Sequence, residues 1–262
     1  MLNLIYTMNR KLIPFLLILL GSVFQLSAQT IRVLSFNIHH GNPPTEKEPL
    51  INLDTIAKII TNSKADLVGL QEIDVNLGRS YFENQAKKLA ELTGMHYIFS
   101  KGIDLDKGEY GTAILSKQPI ERVEKHFLPS PVESERRSLS VIEVTIQKRK
   151  LLFANTHLDL RDKNKIEQAK FITNRFKNEK LPTILVGDLN SKPNDPAITE
   201  LGKLFAKSSI TNGFTFPQDK PTTEIDYIMM TKTTNAKFSN HRILDEKYAS
   251  DHRPLYVEIN IK

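Results

Sequence analysis

The chain has 262 residues, 40% hydrophobic and 25% charged, which fits a globular protein and excludes a disordered or fibrous one. Its formal charge of +6 is a mild basic excess, and no long Lys/Arg block with interleaved aromatics announces a nucleic-acid partner. There is no cysteine, which excludes disulfides and lipid attachment at a thiol.

Arg10 and Lys11 precede an apolar run from Leu12 to Phe24, and Gln25–Leu26–Ser27 lead to the small residue Ala28. A comfortable bilayer span takes roughly 20 residues, so the run is short for an anchor. A basic flank, a short apolar core and a small residue predict a secretory signal over residues 1–28, hence export to the periplasm or the medium. Its removal takes away two basic residues and no acids, leaving 34 basic against 30 acidic residues, a charge of +4.

Beyond it, β-branched and apolar runs predict strands at 31–38, 66–73, 111–116, 138–147, 151–160, 181–189, 224–231 and 254–261. Apolar residues at helical spacing predict helices over 52–62, 84–93 and 162–178, and Pro196 suits the first turn of a fourth over 196–206. Lys148–Arg149–Lys150 reads as a hairpin tip, so the sheets are mixed and not purely parallel. This many strands in one domain, residues 29–262, needs two packed sheets with helices on the outside. Residues 40–50, 101–110, 126–137 and 208–223 read as loops.

Polar residues gather where the apolar runs break. Asn37 ends "SFN", Glu72 ends "GLQE", His157 and Asp159 end "FANTHLD", and Asp188 and Asn190 end "ILVGDLN". Asp226 lies in "EIDYIMM", and Asp251 and His252 precede the last strand. Residues two apart on a strand share a face, so Asp188 projects with Asn190 and His157 with Asp159, whereas Asp251 and His252 project apart. A turn explains Asp188 and Asn190 taken alone. Six run ends of this kind point to one cleft at a sheet edge. Carboxylate and carboxamide oxygens suit Mg²⁺, Mn²⁺ or Ca²⁺, whereas zinc calls for a tighter His/Cys cluster. A cation, a carboxylate base, an amide and histidine donors fit attack of water on a phosphate ester.

In this order, "SFNIHHG", "LVGLQEID", "EYGTAILSKQPI", "NTHLD", "VGDLNSKP", "IDYIMM" and "SDHRPL" resemble the endonuclease/exonuclease/phosphatase family, the deoxyribonuclease I-like superfamily, across about residues 30 to 261. The resemblance implies an α/β four-layer sandwich, two mixed β-sheets face to face with helices on both outer faces, and Mg²⁺- or Mn²⁺-dependent hydrolysis of phosphate esters. It implies Glu72, Asn37 and Asp251 at the metal, and Asp188 aligning or deprotonating the attacking water. Asn190 would hold the phosphoryl group, His252 would donate to phosphate with Asp226 as its partner, and His157 would be the second histidine. Glu109, Tyr110 and Asp159 compete as the partner of His157. Arg137, beside Arg136, matches a phosphate-facing arginine, and Arg79 and Tyr110 are further substrate-side candidates. His39 and His40, next to Asn37, border the expected cleft.

The substrate class stays open between nucleic acid, phospholipid and sugar or inositol phosphate, because the loops and not the catalytic core choose it. The expected state is a monomer with no obligate protein partner. A non-catalytic binding module on the same fold is the competing reading, and the intact set of Glu72, Asp188, Asn190, Asp226 and His252 argues against it.

Overall fold

The computed structural model describes residues 29–46 and 50–261. The expected signal at 1–28 lies outside them. Twelve strands, β1 to β12, are Gln29–Asn37, Leu67–Val75, His96–Leu105, Gly108–Ser116, Ile120–Phe127, Ser138–Ile146, Arg149–His157, Thr183–Asp188, Phe205–Lys207, Asp226–Thr231, Lys237–Ile243 and Leu255–Ile261. Four helices, α1 to α4, are Leu53–Ser63, Gln85–Thr93, Asp162–Phe176 and Pro196–Leu201.

The strands form two six-stranded sheets, ordered β11-β12-β1-β2-β4-β3 and β5-β6-β7-β8-β10-β9. Each is mixed: β1 runs parallel to β2 and β7 parallel to β8, and the other pairs are antiparallel. Between the sheets lies an apolar layer that includes Val33, Leu67, Ile114, Phe153, Val186, Ile228 and Val257. The outer face of the first sheet packs Phe36, Val68 and Leu70 against Ile56, Ile60 and Leu89 of α1 and α2. The outer face of the second packs Leu152, Ala154 and Leu185 against Ile172, Phe176, Ile198 and Leu201 of α3 and α4. The result is the expected four-layer sandwich.

The eight strands expected from sequence are the eight inner strands. The four missed, β3, β5, β9 and β11, are the four sheet edges. An edge strand is paired on one side only and keeps polar residues on both faces, so it lacks a continuous apolar run. β5, "IERVEKHF", is largely half-buried or exposed. Two expected loops shrink accordingly: 101–110 is mostly the β3–β4 hairpin, and 126–137 begins inside β5. The fourth helix stops at Leu201, and Phe205 starts β9 instead. The β6–β7 hairpin turns at Gln147 and Lys148, with φ of 50° and 69°.

A buried polar cluster helps tie the sheets together. Asn155 of β7 donates to the carbonyls of Leu70 and Ala113 at 2.9 Å each, and its Oδ1 accepts from Gln71 Nε2 at 2.7 Å. Gly69 leaves room for it: a Cβ there would sit 2.8 Å from Asn155 Oδ1 and 2.3 Å from Val186 Cγ2.

Candidate active site

The site begins as a row across the second sheet. β7 and β8 place His157 beside Asp188, and β8 and β10 place Asp226 beside Asp188. Three adjacent strands thus end in titratable groups at one level. The chain can pack so tightly here because residue 187 is glycine: its φ is 152°, and a Cβ would meet Thr156 O at 2.0 Å. β8 ends at Asp188, so the strand period does not carry Asn190. Asn190 turns back with φ of 46°, and its N–H donates to Asp188 Oδ1 at 2.9 Å. The pair is a turn and part of the cleft at once.

His252 enters from the loop before β12. Its Nδ1 lies 2.8 Å from Asp226 Oδ2, and its Nε2 lies 3.6 Å from Asp188 Oδ2. Thr215 Oγ1 donates to the same Asp226 oxygen at 2.5 Å. Burial opposes charge on His252, but Asp226 and then Asp188 outweigh it and raise the ring to about 10. Asp188 is buried, and burial raises its carboxyl to about 7 against the opposing pull of His252. On the other side, His157 Nε2 lies 3.5 Å from Asp188 Oδ2 and 3.1 Å from Asn190 Nδ2.

His157 corrects one expectation. None of Glu109, Tyr110 and Asp159 bonds to it. Arg137 Nη1 stands 3.2 Å from Nδ1 and also pairs with Glu135 at 2.8 Å. Guanidinium and carboxamide nitrogens only donate, so the neutral ring accepts from Arg137 at Nδ1 or from Asn190 at Nε2 but not from both. Burial, reinforced by Arg137 and His252, holds this ring neutral. Asp159 instead anchors the preceding loop through Ser134 and Asn164, and Glu109 pairs with Lys101. Arg136 turns outward over Phe127, which assigns the inward position to Arg137. A small recess lined by Tyr110, Glu135, Arg137 and His157 adjoins the row.

The other half of the site belongs to the first sheet. Asn37 ends β1, and its Nδ2 donates to Glu72 Oε1 at 2.9 Å and to Asp188 Oδ2 at 3.1 Å, bridging the two carboxylates. Its Oδ1 caps the His39 N–H. Glu72 sits at a β-bulge between Gln71 and Ile73 with φ of 60°, which turns its half-buried carboxylate into the cleft. One ring nitrogen each of His39 and His40 and a Glu72 oxygen lie within 4.8 Å of one another. Burial, with Arg79 and His39 adding to it, lowers His40 to about 3, so that ring is neutral. This donor set fits a divalent cation. Asp251 is half-buried, accepts from Ser250 Oγ at 3.3 Å, and stands outside the group. Arg79 commits Nε and Nη2 to the buried Asp74 at 2.8 Å each, with its guanidinium 5.4 Å from the Tyr110 ring. A buried carboxylate needs such a counter-charge.

Gln71, Glu135 and Asn155 were not expected at the site, and His39 and His40 were expected only at its border. The "HH" after Asn37 was the available signal for the two histidines. A surface concavity of about 480 Å³, lined by Ala206, Met230, Thr231 and Phe238 among others, lies away from all of these groups.

Known proteins resemble this chain in sequence and fold. YbhP of Escherichia coli K12 is 23% identical over 250 residues, covering 88% of this chain and 97% of its own. An endonuclease/exonuclease/phosphatase of Beutenbergia cavernae superposes with a TM-score of 0.75 at 19% identity, over 89% of this chain and 72% of the other. A mannosyl-6-phosphatase of Bacteroides thetaiotaomicron gives 0.69 at 21% identity, over 87% and 99%. The profile of the Endonuclease/Exonuclease/phosphatase family matches residues 34–252, from β1 to the histidine that faces Asp188, and the chain belongs to that family, whose members hydrolyse phosphate esters.

Proposed function

We propose that the protein is a divalent-metal-dependent hydrolase of phosphate esters in which Asp188 activates water. The observation that carries this reading is Asp188 itself: a buried carboxylate at a junction of strands, faced by His157, His252 and Asn37 at 3.1 to 3.6 Å. A base whose conjugate acid titrates near 7 matches proton abstraction at neutral pH. Water attacks phosphorus and gives its proton to Asp188. The bond from phosphorus to the ester oxygen breaks, and the leaving alkoxide is protonated from solvent. Charged His252, held by Asp226, stabilises the phosphoryl oxygens, and Asn190 and His157 fix their orientation. A cation at Glu72, Mg²⁺ or Mn²⁺, would offset charge on the phosphate and the leaving group. Arg137 and Tyr110 line the substrate side. The apolar run at 12–24 supports action outside the cytoplasm.

The test is a screen of purified protein with Mg²⁺ and Mn²⁺ against plasmid DNA, RNA, sphingomyelin-type lipids, and sugar and inositol phosphates. Cation-dependent hydrolysis of one class that disappears in Asp188→Asn is the expected result. Full activity in excess chelator, or an unchanged rate in Asp188→Asn, overturns the reading.

A further inference from the structure

We propose that His39, His40 and Glu72 form a two-histidine, one-carboxylate site that takes a borderline divalent transition metal, of the Mn²⁺, Co²⁺ or Zn²⁺ kind, in preference to Mg²⁺. The observation is that one nitrogen from each ring and one carboxylate oxygen converge within 4.8 Å on the Glu72 side of the cleft. This deepens the phosphoesterase reading and rests on it for the role of the ion, though not for binding itself.

Three features of the chain argue for ligation and against chance proximity. First, His39 Nδ1 lies 2.9 Å from the Asn42 carbonyl. A carbonyl only accepts, so Nδ1 carries the proton and Nε2 keeps its lone pair. A ligating histidine is oriented in this way, with its other nitrogen donating to a carbonyl. Second, His40 is 6% exposed, yet its ring makes no hydrogen bond among the described residues. The neutral imidazole therefore keeps a lone pair that no described protein group engages, available to an ion. Third, all three residues have left-handed backbone, with φ of 46°, 43° and 60°. Such conformations are sparsely populated by residues with a side chain and persist only where the surroundings impose them. The surroundings do so here: Asn37 Oδ1 accepts from His39 N–H, Gln85 Nε2 donates to the His40 carbonyl at 2.6 Å, and the bulge holds Glu72.

The metal class follows from the donors. Imidazole nitrogen favours borderline transition metals, whereas Mg²⁺ favours an all-oxygen shell with several waters. Three ligands leave positions open for water and a phosphate oxygen, the arrangement of a working and not a closed structural site.

The experiment uses the chelator-treated full-length protein and Co²⁺ and Zn²⁺ as probes. Calorimetry gives affinity, and the visible Co²⁺ spectrum reports nitrogen ligation. The variant is His39→Asn with His40→Asn, because asparagine tolerates left-handed backbone better than other residues with side chains. Thermal unfolding verifies its fold, and each single substitution and Glu72→Gln provide further variants should the double one not fold. We expect wild type to bind Co²⁺ and Zn²⁺ at least tenfold more tightly than Mg²⁺. The folded double variant should lose roughly 100-fold in Co²⁺ affinity, since even outer partners of metal ligands contribute 10- to 100-fold. Asp226→Asn should keep that affinity. A folded variant with wild-type Co²⁺ affinity and spectrum overturns the site, as does a wild type that prefers Mg²⁺. Phosphate-ester turnover, measured in parallel, separates the two readings. Bound Co²⁺ without turnover of any ester refutes the hydrolase and leaves the site standing, and Mg²⁺-driven turnover without Co²⁺ binding does the reverse.

Discussion

The two halves of the cleft are built by different means. The acid–base half, His157, Asp188 and Asp226, comes from three neighbouring strands in register, all buried. The cation half, Asn37, His39, His40 and Glu72, comes from a strand end, a tight turn and a bulge, with three left-handed residues and a half-exposed carboxylate. Regular pairing fixes side chains whose mutual geometry must not vary during proton transfer. Irregular backbone aims ligands inward while leaving an open face for an ion and a phosphate. Asn37 bonds to both halves, through Glu72 and Asp188.

If this division is correct, substitutions on either side separate in their effects. The largest is Asp188→Asn, nearly isosteric, which should lower turnover by at least about a hundredfold while thermal unfolding stays near that of wild type. A folded variant with a near-normal rate would reduce "VGDLN" to its turn. Next, His252→Ala and Asp226→Ala should each cost about a hundredfold, and the double variant should be little worse than the worse single, because coupled groups do not lose rate additively. Additive losses in log rate would return Asp226 to a structural role. Neither substitution should change the cation concentration needed for half-maximal rate. Glu72→Gln should do the opposite, raising that concentration at least tenfold. An unchanged cation requirement in Glu72→Gln would dissolve the distinction between the halves.

Smaller effects sharpen the comparison. Asn155→Ala strands the carbonyls of Leu70 and Ala113, and a lost buried partner costs about 1–3 kcal/mol. Chemical denaturation measures that loss, and the cation requirement should rise with it, since Gln71 adjoins Glu72. The least effect is in pH. His252 is raised by Asp226 to about 10 in the fold, above its ordinary value near 6.5. Its contribution to stability is therefore complete below about pH 6.5 and is lost as pH rises through about 10. In chelated protein the gap in Tm between wild type and Asp226→Asn should narrow over that range. A gap that widens would contradict the pairing.

The same contrast explains what the sequence reveals. Asp188, Asp226 and His157 stand at the ends of apolar runs, and a run end is visible in one dimension. So are the eight inner strands, because burial on both sides imposes apolar continuity. The edges are not, because half-exposed strands lose that continuity. The bulge at Glu72 and the turn at His39–His40 leave no periodicity to read, and Glu72 meets Asn37 across 35 positions and His40 meets Gln85 across 45. Asp159 misled for a related reason: alternation places it beside His157 only if the strand continues, and β7 ends at His157. Arg137 as the neighbour of His157 is likewise a matter of how β6 meets β7, which no local signal encodes.

Asn155 acts as a dowel between two plates. The cleft is divided between sheets that touch mainly through apolar side chains, and apolar contacts resist separation far better than they resist sliding. Asn155 grips main-chain carbonyls of β2 and β4, so what it locates is the plate and not any one side chain. The neighbouring core can therefore exchange one aliphatic residue for another while the water-activating carboxylate and the cation ligands stay aligned. Loosening that pin, as in Asn155→Ala or by forcing it out with Gly69→Ala, misaligns a site whose own residues are all intact.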